Sequence, residues 1–201
     1  MRPVLICVTG NAAGGKSTFM DILAKYGHTI IKADELAKNV IYVPENYEDL
    51  KQIFDKPIFD QNGNIDFQKI SDIFFRLDDE AKRIRKLISE YFQNDIWNEI
   101  NRQVIKAHKL FAFVESASMS LEGAQTYFNY IICVHCNPEE SRKRMLSRGW
   151  SEERIDVTTK IQLPVEIKIG LSDCSLDTTN IPLNKMEEVV KELIESIGIK
   201  M

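Results

Sequence analysis

The sequence of 201 residues predicts an α/β fold in which a parallel β-sheet carries helices on both faces. Five apolar runs are typical of buried parallel strands, and segments with helical periodicity separate them. A glycine-rich turn links the first apolar run to the first helical segment. The composition, with 44% hydrophobic and 28% charged residues, is that of a soluble globular domain. We therefore expect a single domain with insertions in its longer connections.

The five predicted strands alternate with helical segments along the chain. They span residues 4–8, 28–31, 110–114, 130–135 and, more weakly, 174–177. We find no internal repeats, low-complexity tracts or linkers rich in proline and glycine. A second independent domain is therefore not expected.

The turn after the first strand is predicted to be a phosphate-binding loop. Residues 10–17 read Gly-Asn-Ala-Ala-Gly-Gly-Lys-Ser and match the pattern G-x-x-x-x-G-K-S between a strand and a helix. In such a loop backbone N–H groups surround phosphate oxygens, Lys16 reaches the β- and γ-phosphates, and Ser17 offers its hydroxyl to Mg²⁺. An ordinary turn that happens to contain Lys-Ser is a much rarer explanation. The residues predicted to bind ATP here are Asn11, Ala12, Ala13, Gly14, Gly15, Lys16, Ser17 and Thr18.

A long and mostly helical connection, residues 34–107, joins the second strand to the third, and we call it the insertion. It is much longer than a simple crossover between parallel strands needs to be. Such an insertion predicts a part of the molecule that covers a substrate. Its predicted elements are helices near 35–40 and 46–54, a turn at 60–64, a helix capped by Asp66 and an amphipathic helix from 79 to about 106.

The connection between the fourth and fifth strands, residues 138–171, is helical and rich in positive charge, and we call it the lid. Pro138 fits the first turn of a helix. The charges form either a solvated face or a true lid, which closes over the triphosphate and brings arginines to the transferring phosphoryl group. Arg144 and Arg148 share a helical face, so we predict that both bind the nucleotide and that Arg144 is catalytic. The cations of the segment are Arg142, Lys143, Arg144, Arg148 and Arg154.

Two carboxylates are expected at the edge of the sheet where the phosphate loop lies. Asp34 follows the second strand, and Glu115 ends the third. Asp34 can accept the proton of an acceptor hydroxyl or orient it for in-line attack, although it can also act as the N-cap of the helix near 35–40. Glu115 is the best acidic partner for Mg²⁺, through water, and a surface carboxylate is the alternative.

Charge and hydropathy exclude several classes of function. The net charge of −4 is not that of a nucleic-acid-binding protein, which needs a basic face. No stretch approaches the roughly 18 consecutive apolar residues of a membrane span, and the N-terminus shows no secretory leader. We expect a cytoplasmic protein whose partners are small-molecule substrates, with no nucleic acid, no membrane and no obligate protein partner.

The four cysteines are predicted to be buried and reduced. Cys133 and Cys136 form a C-x-x-C pattern, but on a strand this spacing aims the two sulfurs apart. No second Cys/His pair follows to complete a zinc site.

In the order of these motifs, the chain resembles the dephospho-coenzyme A kinase family. That family transfers the γ-phosphate of ATP to the ribose 3′-hydroxyl of dephospho-coenzyme A. The resemblance runs from about residue 4 to about residue 195 and includes the I-x-A-D element that ends at Asp34. The other matching elements are 9–18, 60–66 with Ile70 and Phe74-Phe75, Glu115-Ser116-Ala117, Pro138-Glu139, Arg144, Arg148, Gln162, Lys168 and Ser172-Asp173.

The resemblance implies a P-loop kinase fold with three parts. These are a core of about residues 1–33, 108–137 and 172–201, a helical substrate-binding insertion of about 34–107, and a helical lid of about 138–171. It further implies ATP and Mg²⁺ as cofactors, dephospho-coenzyme A as the acceptor, Asp34 as the catalytic base, and the last step of coenzyme A biosynthesis as the role.

Several positions differ from the family pattern, and most of them belong to the acceptor side. Two other functions therefore remain open: a P-loop kinase for another small hydroxyl or nucleotide acceptor, and a nucleotide-binding regulatory module that has lost transfer chemistry. The differing positions are Lys32, Lys38, Phe67, Ser89 with Glu90, and Ser118-Met119-Ser120-Leu121.

Overall fold

A computed structural model describes residues 4–54, 57–108, 110–117 and 127–201. It contains a five-stranded sheet whose strands are β1 (Val4–Thr9), β2 (Thr29–Lys32), β3 (Phe111–Glu115), β4 (Tyr130–His135) and β5 (Cys174–Asp177). All neighbouring strands are parallel, in the order β2-β3-β1-β4-β5. The predicted parallel sheet is confirmed, and each strand begins and ends within one residue of its predicted position.

The helices fill the connections between these strands. The described helices are α1 (Lys16–Lys25), α2 (Ala33–Ile41), α3 (Tyr47–Ile53), α4 (Phe67–Phe74), α5 (Asp79–Ala107), α6 (Pro138–Ser147), α7 (Glu152–Ile161), α8 (Val165–Gly170) and α9 (Met186–Ser196). None of them combines the length and the apolar character that a membrane span requires.

Alternate residues of β1 enter two different cores, because successive side chains of a strand point to opposite faces. Leu5 and Cys7 pack in a cluster that includes Trp97 and Ile100 of α5. Ile6 and Val8 pack in a second cluster, with side chains of α1 and α9. Full burial of one such side chain contributes about 1.5–3 kcal/mol. The two clusters therefore fix β1, and with it the start of the phosphate loop.

The insertion has an apolar core of its own. Its helices bury ten side chains that lie away from both faces of the sheet: Ile41, Leu50, Ile53, Phe54, Ile58, Ile70, Ile73, Ile84, Ile88 and Phe92. Helix α5 joins this core to the sheet, since its first half packs in the insertion and its second half packs beneath β1 and β3.

Short-range signals set the helix ends in the insertion and the lid. Asp66 caps α4 as predicted, with its carboxylate accepting from the N–H groups of Gln68 at 3.1 Å and Lys69 at 3.3 Å. The N-cap of α2 is Lys32, so the alternative in which Asp34 caps this helix is wrong. The helix starts two residues earlier than predicted and places Asp34 in its first turn.

The cysteines are free, and three of the four are buried. Cys174 is only half-buried, so the expectation of burial is wrong for this residue, which lies at the start of the outer strand β5. The two sulfurs of the C-x-x-C pattern have different neighbours. The Cys136 thiol donates to the carbonyl of Ala13 at 3.8 Å. Cys133 instead lies near Cys7, and the pKa of the Cys7 thiol is raised first by burial and second by Cys133.

Candidate active site

The phosphate loop, residues 10–17, leaves the carboxyl end of β1 at the centre of the sheet. At Gly10 the backbone adopts a φ of +147°, and a Cβ built there would stand 1.8 Å from the carbonyl oxygen of Val134 on β4. Only glycine fits so close to a neighbouring strand. The first residue of the motif therefore allows the loop to begin against the sheet.

Side chains from the end of β4 and from α6 hold the loop from one side. Asn11 Nδ2 donates to the carbonyl of Cys136 at 2.8 Å, and the N–H of Cys136 donates back to Asn11 Oδ1 at 3.2 Å. Ser141 of α6 donates its hydroxyl to the carbonyl of Ala12 at 2.7 Å. Two consecutive loop residues are thus fixed by contacts more than 120 residues away in sequence.

Helix α1 begins at Lys16, within the loop motif, and no side chain caps its N-terminus. Its N-cap is Gly15, in a left-handed conformation with a φ of 97°, and Gly15 has no side chain to occupy the first-turn N–H groups. These N–H groups and the positive end of the helix favour an anion. The motif thus has the local geometry that phosphate binding requires.

Lys16 folds back over this loop. Its Nζ donates to the carbonyl of Asn11 at 2.7 Å and to that of Gly10 at 3.4 Å. Burial lowers the pKa of the ammonium, and the charges of Glu115 and Asp34 raise it. Lys16 therefore contacts the loop and is close enough to the two predicted carboxylates to interact with their charges. A group that neutralises phosphate charge is expected at such a position.

Ser17 and Glu115 meet beside the loop. The Ser17 hydroxyl donates to Glu115 Oε1 at 3.3 Å, because strand pairing aligns the end of β3 with β1. Desolvation raises the pKa of Glu115, and the positive charge of Lys16 opposes this shift. A hydroxyl and a carboxylate are hard oxygen donors, which suit Mg²⁺. The chemistry of these two side chains thus fits the predicted metal.

Asp34 lies in the first turn of α2, directly after β2, and its carboxylate is near Lys16 and Glu115. Its carboxylate is exposed, yet surrounding protein atoms raise its pKa by desolvation, while the charges of Lys16 and Lys38 lower it. The register that pairs Lys32 with Glu115 brings the end of β2 to the end of β3. Asp34, Glu115 and Lys16, which are 18 to 99 residues apart in sequence, are therefore close enough for their charges to interact.

A cavity of about 250 Å³ lies on the other side of the loop, away from Asp34. It combines polar groups with an apolar wall, as a nucleobase and ribose would need. Both arginines of the predicted pair, Arg144 and Arg148, line it. The remaining lining residues are Ala13, Gly15, Thr18, Thr178, Ile181, Leu183 and Met186.

Arg144 is fastened to the wall of this cavity. Its guanidinium donates to the carbonyl of Thr178 at 2.8 Å, to the Thr178 hydroxyl at 2.9 Å and to the carbonyl of Ala13 at 3.3 Å. Its Nε donates to Glu140 at 2.8 Å. These bonds hold Arg144 at the loop, whereas Arg148 at the end of α6 is exposed. The catalytic role expected for Arg144 stays a prediction.

The other lid cations have different surroundings, and the choice between a solvated face and a lid that closes over the triphosphate stays a prediction. Arg142 forms ion pairs with Glu152 and Asp156 within the lid, as a solvated face does. The guanidinium of Arg154 lies 4.3 Å from the ring centre of Trp150 and 5.9 Å from that of Phe75 in the insertion. The lid and the insertion therefore meet through Arg154.

Thr178 is a site residue that the sequence analysis missed. It is buried directly after β5, and its hydroxyl donates to the carbonyl of Gly14 at 3.0 Å. The position at the end of a strand was the available signal, since ligand sites gather at this edge. Lys168 was named only for its place in the family order, yet it lies fully buried beneath the loop.

The positions that differ from the family pattern lie mostly around the acceptor side. The charge of Lys38 lowers the pKa of Asp34, and that of Lys32 lowers the pKa of Glu115. Phe67 is 54% exposed at the start of α4, with its ring 5.4 Å from that of Tyr42. Ser89 lies half-buried on α5. The run Ser118-Met119-Ser120-Leu121 lies outside the described residues.

Known proteins match this chain over almost its whole length. A family model described as dephospho-CoA kinase matches residues 4–182. The dephospho-CoA kinase of Aquifex aeolicus is 32% identical over 191 residues, which cover 94% of this chain and 93% of that protein.

Two solved structures share the fold. A Thermus thermophilus protein superposes with a TM-score of 0.81 at 22% identity, over 98% of this chain and 99% of its own. The dephospho-CoA kinase of Campylobacter jejuni superposes with a TM-score of 0.64 at 24% identity, over 96% of each chain. The predicted fold of a P-loop kinase is confirmed by these likenesses.

Proposed function

The chain belongs to the dephospho-CoA kinase family, and we propose how its residues divide the work of phosphoryl transfer. It is an ATP-dependent phosphotransferase that acts on the ribose 3′-hydroxyl of dephospho-coenzyme A and gives coenzyme A. One observation carries the assignment of roles: Asp34 lies beside Lys16, where the acceptor side meets the phosphate loop.

The phosphate loop binds the triphosphate of ATP. Its backbone N–H groups and the uncapped start of α1 favour the anion, and Lys16 releases the carbonyls of Gly10 and Asn11 to reach the β- and γ-phosphates. Phosphoryl transfer requires little covalent chemistry from the protein, so positioning and neutralisation of charge supply most of the catalysis.

Asp34 acts on the acceptor. Its carboxylate is exposed and lies in the first turn of α2, so it can accept a hydrogen bond from the 3′-hydroxyl. It takes the hydroxyl proton as the 3′-oxygen bonds to the γ-phosphorus and the bond from that phosphorus to the departing ADP oxygen breaks. The raised pKa of this carboxyl makes it a better base than an ordinary aspartate, while the charges of Lys16 and Lys38 keep the ionised form accessible.

Ser17 and Glu115 are the groups that would hold Mg²⁺, the hydroxyl directly and the carboxylate through water. Bound Mg²⁺ neutralises part of the charge on the triphosphate. Protonation of Glu115 would weaken this site, and its raised pKa moves that weakening to a higher pH than for an ordinary glutamate.

The cavity on the far side of the loop takes the nucleoside of ATP. Arg144 shapes its wall through Thr178 and Ala13, and Arg148, which carries no such bonds in the described contacts, is the more available arginine for the bound nucleotide. A catalytic contact of Arg144 with the transferring phosphoryl group requires that the Thr178 bonds open when the lid closes.

The insertion, residues 34–107, takes the acceptor, and the lid, residues 138–171, covers ATP, while the remainder forms the core. Support for this division comes from the separate apolar core of the insertion and from the position of Asp34 at its first turn. Lys32 and Lys38 add positive charge near the two carboxylates, which suits an acceptor with a diphosphate group. A cytoplasmic location also stays part of this proposal.

The test measures ADP release from MgATP by the purified protein, with dephospho-coenzyme A, with adenosine monophosphate as a second nucleotide acceptor, or with no acceptor. We expect strong stimulation by dephospho-coenzyme A alone. Equal stimulation by adenosine monophosphate would favour a broader nucleotide kinase. Tight MgATP binding without stimulation by any acceptor would contradict the assigned transfer chemistry.

A further inference from the structure

Lys168 connects three parts of the molecule beneath the phosphate loop. It belongs to α8, at the base of the lid, and is fully buried. Its ammonium donates to the carbonyl of Gly10 at 2.9 Å, to that of Ala117 after β3 at 3.1 Å, and to Gln162 Oε1 at 3.4 Å. One side chain of the lid therefore binds both the first residue of the loop and the segment that follows Glu115.

The bond to Gly10 constrains the orientation of a loop peptide. A trans peptide is planar, and its carbonyl and its N–H point in opposite directions. Fixing the Gly10 carbonyl toward Lys168 therefore directs the N–H of Asn11 away from Lys168. Gly10 has a φ of +147°, which residues with a side chain rarely adopt. Because glycine can adopt many other conformations as well, its own backbone preference does not fix the orientation of this peptide.

The ammonium of Lys168 is buried against uncharged hydrogen-bond acceptors, and the ammonium of Lys16 is its charged neighbour. The three acceptors are uncharged, and the neighbouring thiols of Cys7 and Cys133 have pKa values raised to about 12 and about 11. Burial first, and the charge of Lys16 second, lower the pKa of the Lys168 ammonium to about 8. A pKa of about 8 leaves most of Lys168 protonated at pH 7, and ionisable groups with strongly shifted pKa values cluster at functional sites.

We propose that Lys168 is a positioning residue for nucleotide binding, which holds the Gly10–Asn11 peptide in its phosphate-binding orientation and adds its charge to that of Lys16 beneath the triphosphate. The inference rests on the proposed function only in that the loop binds a nucleotide, and it is independent of the acceptor. When the triphosphate is bound, its negative charge compensates the two neighbouring ammonium groups.

The first test compares MgADP binding by calorimetry in the wild type, in Lys168→Met and in Lys191→Met, whose lysine is exposed on α9. We expect at least a tenfold loss of affinity in Lys168→Met and no change in Lys191→Met. Thermal unfolding without nucleotide should change little, because the lost hydrogen bonds are offset by removal of a buried charge. A merely structural role would lower the melting temperature and leave the affinity of the folded variant intact, and that result would overturn the proposal.

The second test uses pH, because Lys16 from α1, Cys7 from β1 and Cys133 from β4 are the titratable groups that interact with Lys168. Wild-type affinity for MgADP should fall above about pH 8 as Lys168 loses its proton, and Lys168→Met should lack this step. Lys168→Arg, which keeps its charge, should restore binding and hold it to higher pH. If Lys168→Met does not fold, the pH dependence of MgADP binding by Lys168→Arg decides. Binding that persists to higher pH than in the wild type supports the proposal, and the same pH dependence as in the wild type contradicts it.

Wild-type affinity that stays constant from neutral pH to well above pH 8 would contradict the charge contribution of Lys168, and unchanged affinity in Lys168→Met would overturn the positioning role. A wild-type protein that binds no MgADP even at neutral pH would instead contradict the proposed function, so the two failures are distinguishable.

Discussion

The nucleotide side and the acceptor side of the cleft are built in different ways. On the nucleotide side the phosphate loop is held against the sheet by Asn11, Ser141, Thr178 and Lys168, and each of these contacts spans more than 120 residues of sequence. On the acceptor side the helices of the insertion pack around their own apolar core, away from the sheet. From this comparison we expect nucleotide binding to depend on the geometry of the anchored loop, and acceptor choice to depend on a separately packed layer.

Asp34 lies where the two sides meet. It follows β2, and the sheet fixes the register of β2 with β3. It lies in the first turn of α2, a helix that packs on α5. If the two sides are separable, a change at Asp34 should abolish transfer and spare the binding of ATP, whereas a change in the loop should weaken the binding of ATP and spare the binding of the acceptor.

The largest expected effect is that of Asp34→Asn. We expect turnover to fall by about 10²–10⁴-fold, the usual contribution of a general base, with MgADP affinity unchanged. Stability at pH 7 should not fall, because a raised folded-state pKa means that the ionised carboxylate destabilises the fold above that pKa. Steady-state kinetics, calorimetry and thermal unfolding check the three parts. Loss of nucleotide affinity in this variant would break the comparison.

The next largest effect is that of Gly10→Ala. The new Cβ would stand 1.8 Å from the Val134 carbonyl, so the loop has to move, and we expect MgADP affinity to fall by about a hundredfold, or 2.7 kcal/mol. Gly63→Ala is the matched control, since Gly63 also has a positive φ of 78° but lies in the insertion with open space around it. It should lower stability and leave nucleotide affinity unchanged. Equal effects of the two variants on affinity would contradict this prediction.

A smaller effect is expected for Arg144→Ala. The change removes hydrogen bonds to Thr178 and Ala13 and reshapes the nucleoside cavity, so the KM for ATP should rise by about tenfold. The KM for dephospho-coenzyme A should stay constant. Arg102→Ala on α5, where the arginine forms an exposed ion pair with Glu99, serves as the control. A fall in kcat at saturating ATP would instead support the catalytic role predicted for Arg144.

The smallest effect is that of Ala13→Gly. Ala13 and His108 are non-glycine residues with positive φ, at 54° and 51°. Glycine relieves the strained backbone at either position, but it also increases the entropy of the unfolded chain. We expect the net result to be a free energy of unfolding that is higher by about 0.5–1 kcal/mol. Only Ala13→Gly should also weaken MgADP binding, by about twofold, because it loosens the loop. Denaturant unfolding and calorimetry test this pair, and a change of affinity in His108→Gly would argue against it.

The parts that the sequence predicts well are those set by neighbouring residues. The loop motif, the strands around it and the Asp66 cap depend on contacts within a few positions, and all of them are found. The role of Asp34 as an N-cap was wrong, because α2 begins two residues earlier at the end of β2.

The parts that remained hidden depend on distant segments. Thr178 and Lys168 approach the loop because β5 and α8 fold beside β4. The strand-end position of Thr178 and the place of Lys168 in the family order marked these residues without indicating that either one contacts the loop. The anchoring of Arg144 is hidden for the same reason, since three of its four hydrogen bonds go to the loop and to the residue after β5, and only the bond to Glu140 lies within α6. Helical spacing predicted that Arg144 and Arg148 share a helical face, and both line one cavity, but the spacing did not indicate what each one contacts.

The most direct test of the account is to determine where the phosphate goes, and whether Asp34 is needed to put it there. Phosphorus NMR of the product formed from MgATP and dephospho-coenzyme A should reveal a new monoester coupled to the 3′ proton of the ribose for the wild type, and no such signal on the same timescale for Asp34→Asn. A phosphate on any other oxygen, or undiminished transfer by Asp34→Asn, would contradict the claim that this carboxylate aligns the 3′-hydroxyl with ATP held in the loop.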